Sequence, residues 1–217
     1  MVVAQYILAS RSILVKQSAR FLILFGVLLT ALPTAVNAHF KLLEPASWLV
    51  EDPRGDPQKA GPCGGNNVDW GKPSYVVAKA TGGEKLHIKV QETVYHPGHY
   101  RVALAVNSRT ELPLDPEATT TPTDKGPRSV SAKIQDPPQV PVLADGLWVH
   151  TAKGDGLWET DIVLPNINCK KCTLQIVQFM AEHGVNNPGN FTYHHCAELQ
   201  ITATPSKPID KQWPVER

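Results

Sequence analysis

Three short segments of this 217-residue chain carry side chains able to do chemistry together. The first is the junction Val36-Asn37-Ala38 followed by His39-Phe40. A cut after Ala38 leaves His39 at the terminus, where one residue offers two nitrogen ligands, its α-amine and its ring Nδ1. The ordinary pKa of such an amine, about 7.7–8.0, lets it give up its proton to a metal. The second segment is Tyr95-His96-Pro97-Gly98-His99-Tyr100. Pro97-Gly98 supplies turn chemistry, so His96 projects from a loop end, with His99 as its competitor. Amine and imidazole nitrogens favour copper among divalent ions, and a planar three-nitrogen set suits Cu(II). The third segment, Tyr193-His194-His195-Cys196, brings a phenol just ahead of a cysteine. Of the other histidines, His87 shares a strand face with Lys85 and Lys89 and reads as solvated, and His150 receives no role.

The copper chemistry depends on export. Arg11, Lys16 and Arg20 precede a twelve-residue apolar run, Phe21 to Leu32, which Pro33 ends. Val36 and Ala38 are the small residues at the −3 and −1 positions of a cleavage site, so residues 1–38 read as a signal peptide. Twelve residues fall short of the roughly 20 needed to span a bilayer. The product is expected to be exported, periplasmic or secreted. Beyond residue 38 the chain has 18 basic and 20 acidic residues. That balance makes no case for nucleic acid or an anionic membrane as a partner. All four cysteines, Cys63, Cys169, Cys172 and Cys196, follow the leader. An even count in an oxidising compartment reads as two disulfides. Three pairings are possible; a local Cys169–Cys172 ring would leave Cys63 with Cys196. A redox or zinc reading of Cys169-Lys170-Lys171-Cys172 lacks a surrounding βαβ pattern and a second such pair.

The elements that must position these groups are strands. Alternation is strict in Lys85-Leu86-His87-Ile88-Lys89-Val90, and strand-like runs recur at 100–106, 147–150, 158–164, 174–180 and 196–203. Period-2 patterning with β-branched residues, bounded by Gly, Pro and Asn, predicts an all-β sandwich. Residues 39 to about 77 are rich in Pro, Gly and Asn and read as loop. The stretch from about Arg109 to Val142 reads as an irregular surface excursion. One domain is expected over 39–204, with an extended tail over 205–217.

The combination resembles the lytic polysaccharide monooxygenases, and more narrowly their bacterial monooxygenase-like relatives. The resemblance rests on His39-Phe40 after the leader, His96-Pro97-Gly98 before a strand, Cys169-Lys170-Lys171-Cys172-Thr173-Leu174-Gln175, and Tyr193-His194-His195-Cys196-Ala197. It covers most of the mature chain as scattered short motifs. It implies an immunoglobulin-like (fibronectin III-like) antiparallel β-sandwich with long loops and one surface copper ion. It implies a histidine brace of His39 (amine and Nδ1) and His96, an axial Tyr193, and second-sphere roles for His183 and Gln178. Members with the tyrosine often carry glutamine two residues earlier, where this chain has Phe191. The activity implied is oxidative cleavage of glycosidic bonds in a polysaccharide of chitin or cellulose type, by a monomer supplied by an external electron donor. Trp48, Trp70 and Tyr95 are candidates for contact with a flat substrate. The competing reading is an exported copper-handling protein of the same fold, with a copper donor or acceptor as its partner. A third is a glycan-binding sandwich or adhesin whose histidines are incidental.

Overall fold

In the computed structural model, which describes residues 38–217, alternating sequence becomes alternating burial. Ile88, Val90 and Glu92 turn inward while Lys85, His87 and Gln91 face out. The strands are β1 (His39–Glu44), β2 (Val77–Thr81), β3 (Lys85–Val94), β4 (Gly98–Ala105), β5 (Ala118–Thr123), β6 (Gly126–Ala132), β7 (Val142–His150), β8 (Leu157–Val163), β9 (Cys169–Met180) and β10 (Thr192–Thr202), with a 3-10 turn at Arg109–Glu111. The expected signal peptide lies outside the described residues except for Ala38. Among the described residues no helix is long and apolar enough to cross a membrane.

Two sheets carry the fold. One has the order β1-β3-β8, the other β2-β10-β9-β4-β7. The chain is thus the all-β sandwich that its patterning predicts. Its ladders are antiparallel save for β2 along β10, which is parallel. Phe40, Ile88, Val90, Leu104, Ile176 and Leu199 meet between the sheets, each at most 1 % exposed. Burying such a side chain contributes about 1.5–3 kcal/mol. The opposite face of β4 and β10 packs Ala103, Ala105 and Cys196 against Cys63 and Leu112 from the covering loops and Val142 at the start of β7. Disulfides join Cys63 to Cys196 and Cys169 to Cys172. Trp213, from the segment after residue 204, is buried against the main core.

Three elements depart from the loop readings. β1 forms inside the Pro/Gly-rich stretch because β3 offers it a partner, with His39 opposite Val94. β2 forms at that stretch's end, beside β10. The excursion after Arg109 contains a two-stranded hairpin, β5-β6. Its residues are almost all exposed, Ser129 being buried. Without an apolar face the hairpin shows no hydrophobic alternation. Its Thr119-Thr120-Thr121 run and the Asp124-Lys125-Gly126 turn are the signals that could have revealed it.

Candidate functional site

The register of β1 on β3 places His39 at one end of the sandwich, beside the turn that carries His96. The His39 ring lies 5.3 Å from that of Tyr193 on β10, centroid to centroid. Its Nε2 is 3.0 Å from the Asp56 carboxylate. The Asp56 carboxyl sits below its usual pKa, chiefly through this bond. The carboxylate accepts from Nε2–H, so a neutral His39 ring carries its lone pair on Nδ1.

His96 is set from the other side. Its Nδ1 donates to the Ala181 carbonyl at 3.0 Å, which assigns the lone pair of the neutral ring to Nε2. Gly98 begins β4 flush against β9: a Cβ there would sit 1.9 Å from the Phe179 carbonyl oxygen. That close approach explains glycine after His96-Pro97. The His183 ring stands edge-on to His96 at 4.7 Å. Burial lowers the His183 pKa, and its Nδ1 donates to the Gly184 carbonyl at 2.5 Å. The turn bearing His183 is pinned by Ser129 of the β5-β6 hairpin. Ser129 Oγ donates to the Met180 carbonyl at 2.6 Å and accepts from the His183 N–H at 3.0 Å. Two backbone bonds, Ser129 N–H to His183 O and Glu182 N–H to Ser129 O, complete the clasp.

Beneath the histidines runs a row on the inner face of the larger sheet. Tyr193, Gln178 and Tyr100 are direct cross-strand neighbours on β10, β9 and β4. All three side chains are fully buried. The Tyr193 hydroxyl, the Gln178 Oε1 and the Tyr100 hydroxyl lack a hydrogen-bond partner among the described residues. Burial, with Asp56 adding to it, pushes the Tyr193 phenol well above its usual pKa; Asn186 pulls weakly the other way without a hydrogen bond of normal geometry. The phenol therefore stays protonated across the physiological range.

Glu92, which the sequence does not single out, and His150, which it leaves without a role, are central here. Glu92 Oε1 accepts from Gln178 Nε2 at 2.8 Å and from the His96 backbone N–H at 3.2 Å. His150 Nε2 lies 3.4 Å from the same oxygen and 2.7 Å from the His96 carbonyl, while its Nδ1 donates to the Trp148 carbonyl. Burial alone would lower the His150 pKa; Glu92 and the two carbonyls outweigh it and raise it. Two ring N–H groups aimed at oxygen describe an imidazolium paired with a carboxylate. The readable signal was a carboxylate at an inward position of an alternating strand, after Ile88 and Val90.

Other candidates lie elsewhere. His99 points to the opposite face of β4, its ring 5.2 Å from Phe179 and its Nε2 3.9 Å from Asp145. Phe191, Trp48 and Trp70 line an apolar groove of about 900 Å³. Trp48 is engaged in packing, with Arg109 3.6 Å over its ring and its Nε1–H on the Cys63 carbonyl. Trp70 is 68 % exposed. Tyr95 stays beside the site, 5.9 Å from the His150 ring. Among the described residues no three His, Cys, Asp or Glu side chains are grouped as a metal site. A brace needs two histidine side chains and an amine. The residues present fit it: lone pairs assigned to Nδ1 of His39 and Nε2 of His96, with an orphaned buried phenol beside them.

No family model matches the chain, and no curated protein does. Among solved structures it is similar to a lytic polysaccharide monooxygenase from Thermobia domestica in the Cu(I) state, at 14 % identity and a TM-score of 0.49, over 76 % of this chain and 100 % of that one. It is also similar to a glycoside hydrolase family 61 member from Hypocrea jecorina, at 13 % identity and a TM-score of 0.37, over 67 % and 60 % of the two chains. These similarities concern fold; the chemistry rests on this chain's own residues.

Proposed function

We propose that the chain is exported, cut after Ala38, and binds one copper ion through the His39 amine, His39 Nδ1 and His96 Nε2, as a monooxygenase-like protein acting on polysaccharide. The observation that carries this reading is the opposite tautomer pattern of the two rings. The Asp56 carboxylate accepts a hydrogen bond from His39 Nε2–H, and the Ala181 carbonyl accepts one from His96 Nδ1–H. Each ring is thereby prepared to donate through the nitrogen a brace uses. Bound there, copper would supply one-electron redox chemistry that, with an external electron donor and dioxygen or hydrogen peroxide, oxidises a C–H bond beside a glycosidic oxygen.

The protein's part is positioning. The cut at Ala38–His39 turns a peptide nitrogen into an amine. Tyr193 closes the inner side of the site, and burial keeps it a neutral phenol in the metal-free protein. His183, held neutral by burial and braced by Ser129, keeps an imidazole against His96. Gln178 is held through Glu92 and fixes the floor on which His96 stands. Tyr95, beside the site, and the exposed Trp70, in the apolar groove, are the aromatic side chains available to a glycan.

N-terminal sequencing of the exported protein should return His-Phe-Lys. Copper-loaded protein should show a type-2 EPR signal that His39→Ala and His96→Ala each abolish. Ascorbate should then drive release of oxidised oligosaccharides from chitin or cellulose. A different mature terminus, or a signal that survives both substitutions, overturns the brace. A second reading, an exported copper carrier, is favoured by the commitment of the Gln178 amide to Glu92 and the position of Phe191 in the apolar groove. Tight copper binding with no oxidised product from either glycan would establish it over the enzyme.

A further inference from the structure

The loop that delivers Asp56 to His39 also delivers a cation to the same ring. Arg54 Nη2 lies 3.3 Å from His39 Nδ1 and 3.2 Å from its Nε2. A single Nη2 nearly equidistant from both ring nitrogens lies over the imidazole face, so the guanidinium sets a positive charge against the ring and leaves the in-plane Nδ1 lone pair directed elsewhere. The loop is built to present both groups. Asp52 Oδ1 accepts three successive backbone N–H groups, from Arg54, Gly55 and Asp56, at 2.8–2.9 Å. The Asp52 N–H returns to the Asp56 carbonyl, and Thr93 Oγ1 donates to the Arg54 carbonyl at 2.6 Å. Between them, Gly55 has φ +103°, and a Cβ there would lie 1.9 Å from the Phe40 carbonyl oxygen. Any other residue would push the turn off β1 and carry Arg54 and Asp56 away from His39.

We infer that Asp56 and Arg54 are positioning residues of opposite sign for His39: the carboxylate strengthens Nδ1 as a metal donor by holding the proton on Nε2, and the guanidinium, lying against the ring, opposes the charge of a metal at Nδ1. This rests on the proposed copper site. An outer partner of a ligating histidine fixes its tautomer and raises its basicity, and its loss weakens metal affinity about 10–100-fold. A cation held against the ring works the other way, because its charge repels a metal cation at Nδ1 and makes the imidazole a poorer donor. The pair makes affinity a balance, tight enough to hold copper and open to its exchange.

The test has two arms on protein processed to His39. In metal-free protein, ring ¹⁵N NMR should show His39 as the Nε2–H tautomer, with Asp56→Asn eroding that preference and Arg54→Gln leaving it in place. In chelator competition, Asp56→Asn should weaken Cu(II) binding about 10–100-fold, and Arg54→Gln should tighten it on the order of tenfold, with Arg54→Lys in between. A purely structural role for the loop would move both affinities downward. Affinity changes of the same sign in Asp56→Asn and Arg54→Gln, or an Nδ1–H tautomer in the wild type, overturn the inference. If the wild type binds no Cu(II), it is the brace that fails, and the tautomer arm decides this inference by itself.

Discussion

Replacing Glu92 by glutamine tests the buried network under His96 most directly. The Glu92 and His150 side chains are 2 % and 5 % exposed, with 3.4 Å between Oε1 and Nε2. Removing one partner of a buried ion pair costs about 3–5 kcal/mol, because the other charge is left unpaired. Two features reduce that here. The new amide keeps an oxygen for Gln178 or for the His96 N–H, and His150 can shed its proton while keeping one N–H on a carbonyl. The expected loss is therefore about 2–3 kcal/mol. Its pH dependence has a definite sign. The folded pKa of His150 is raised from 6.5, so its stabilisation is complete below that value and is lost as pH climbs through the folded pKa. The gap between wild type and Glu92→Gln should be widest near about pH 6 and narrow toward about pH 9. Urea unfolding with disulfides intact measures it, and a cycle with His150→Gln should show coupling of at least about 1 kcal/mol. A gap under about 0.5 kcal/mol at the lower pH, a gap that grows with pH, or strict additivity would refute the ion-pair account.

Three further outcomes are expected. Cys63 and Cys196 are 133 residues apart, so loop entropy puts their disulfide at up to about 5 kcal/mol against about 2 kcal/mol for the Cys169–Cys172 ring; denaturant midpoints of the two double-alanine variants should fall in that order. Ser129→Ala removes the hydroxyl that binds Met180 O and the His183 N–H, so amide exchange across 180–184 should quicken by the equivalent of about 1–3 kcal/mol; unchanged exchange there would show that the hairpin does not brace His183. Burial raises the Glu51 pKa from 4.5 to about 7. The native state then holds a proton that the unfolded chain releases, so stability falls as pH rises through that window. The fall should reach up to about 3 kcal/mol, and unfolding of Glu51→Gln between about pH 5 and about pH 8 should lack it.

Local pattern made part of this protein readable. Ile88 and Val90 against Lys85 and Lys89 announced a half-buried strand, and similar runs gave most of the two sheets. The His39 junction and the His96-Pro97-Gly98 turn were visible because an unusual position and turn residues are local properties. β1 was hidden because its six residues, read without a partner, look like one more short apolar stretch in a loop-rich segment. The β5-β6 hairpin was hidden because solvent covers nearly all of it, so burial wrote no period into its sequence. Glu92 and His150 were missed for a related reason: the worth of a buried charge lies in what stands opposite. Here that partner comes from the other sheet, 58 positions along the chain.

By itself, then, the sequence determined an all-β chain with export features, four cysteines and two histidines in positions suited to a metal. Alternation and turn chemistry act over a few residues, which is the range a sequence displays. Which nitrogen of each histidine holds its proton was decided by tertiary structure. Asp56 reaches His39 only because Gly55 lets the loop lie on β1, and Ala181 reaches His96 only because β4 begins flush against β9. A tautomer depends on an acceptor about 3 Å away, and here those acceptors are 17 and 85 residues distant in sequence.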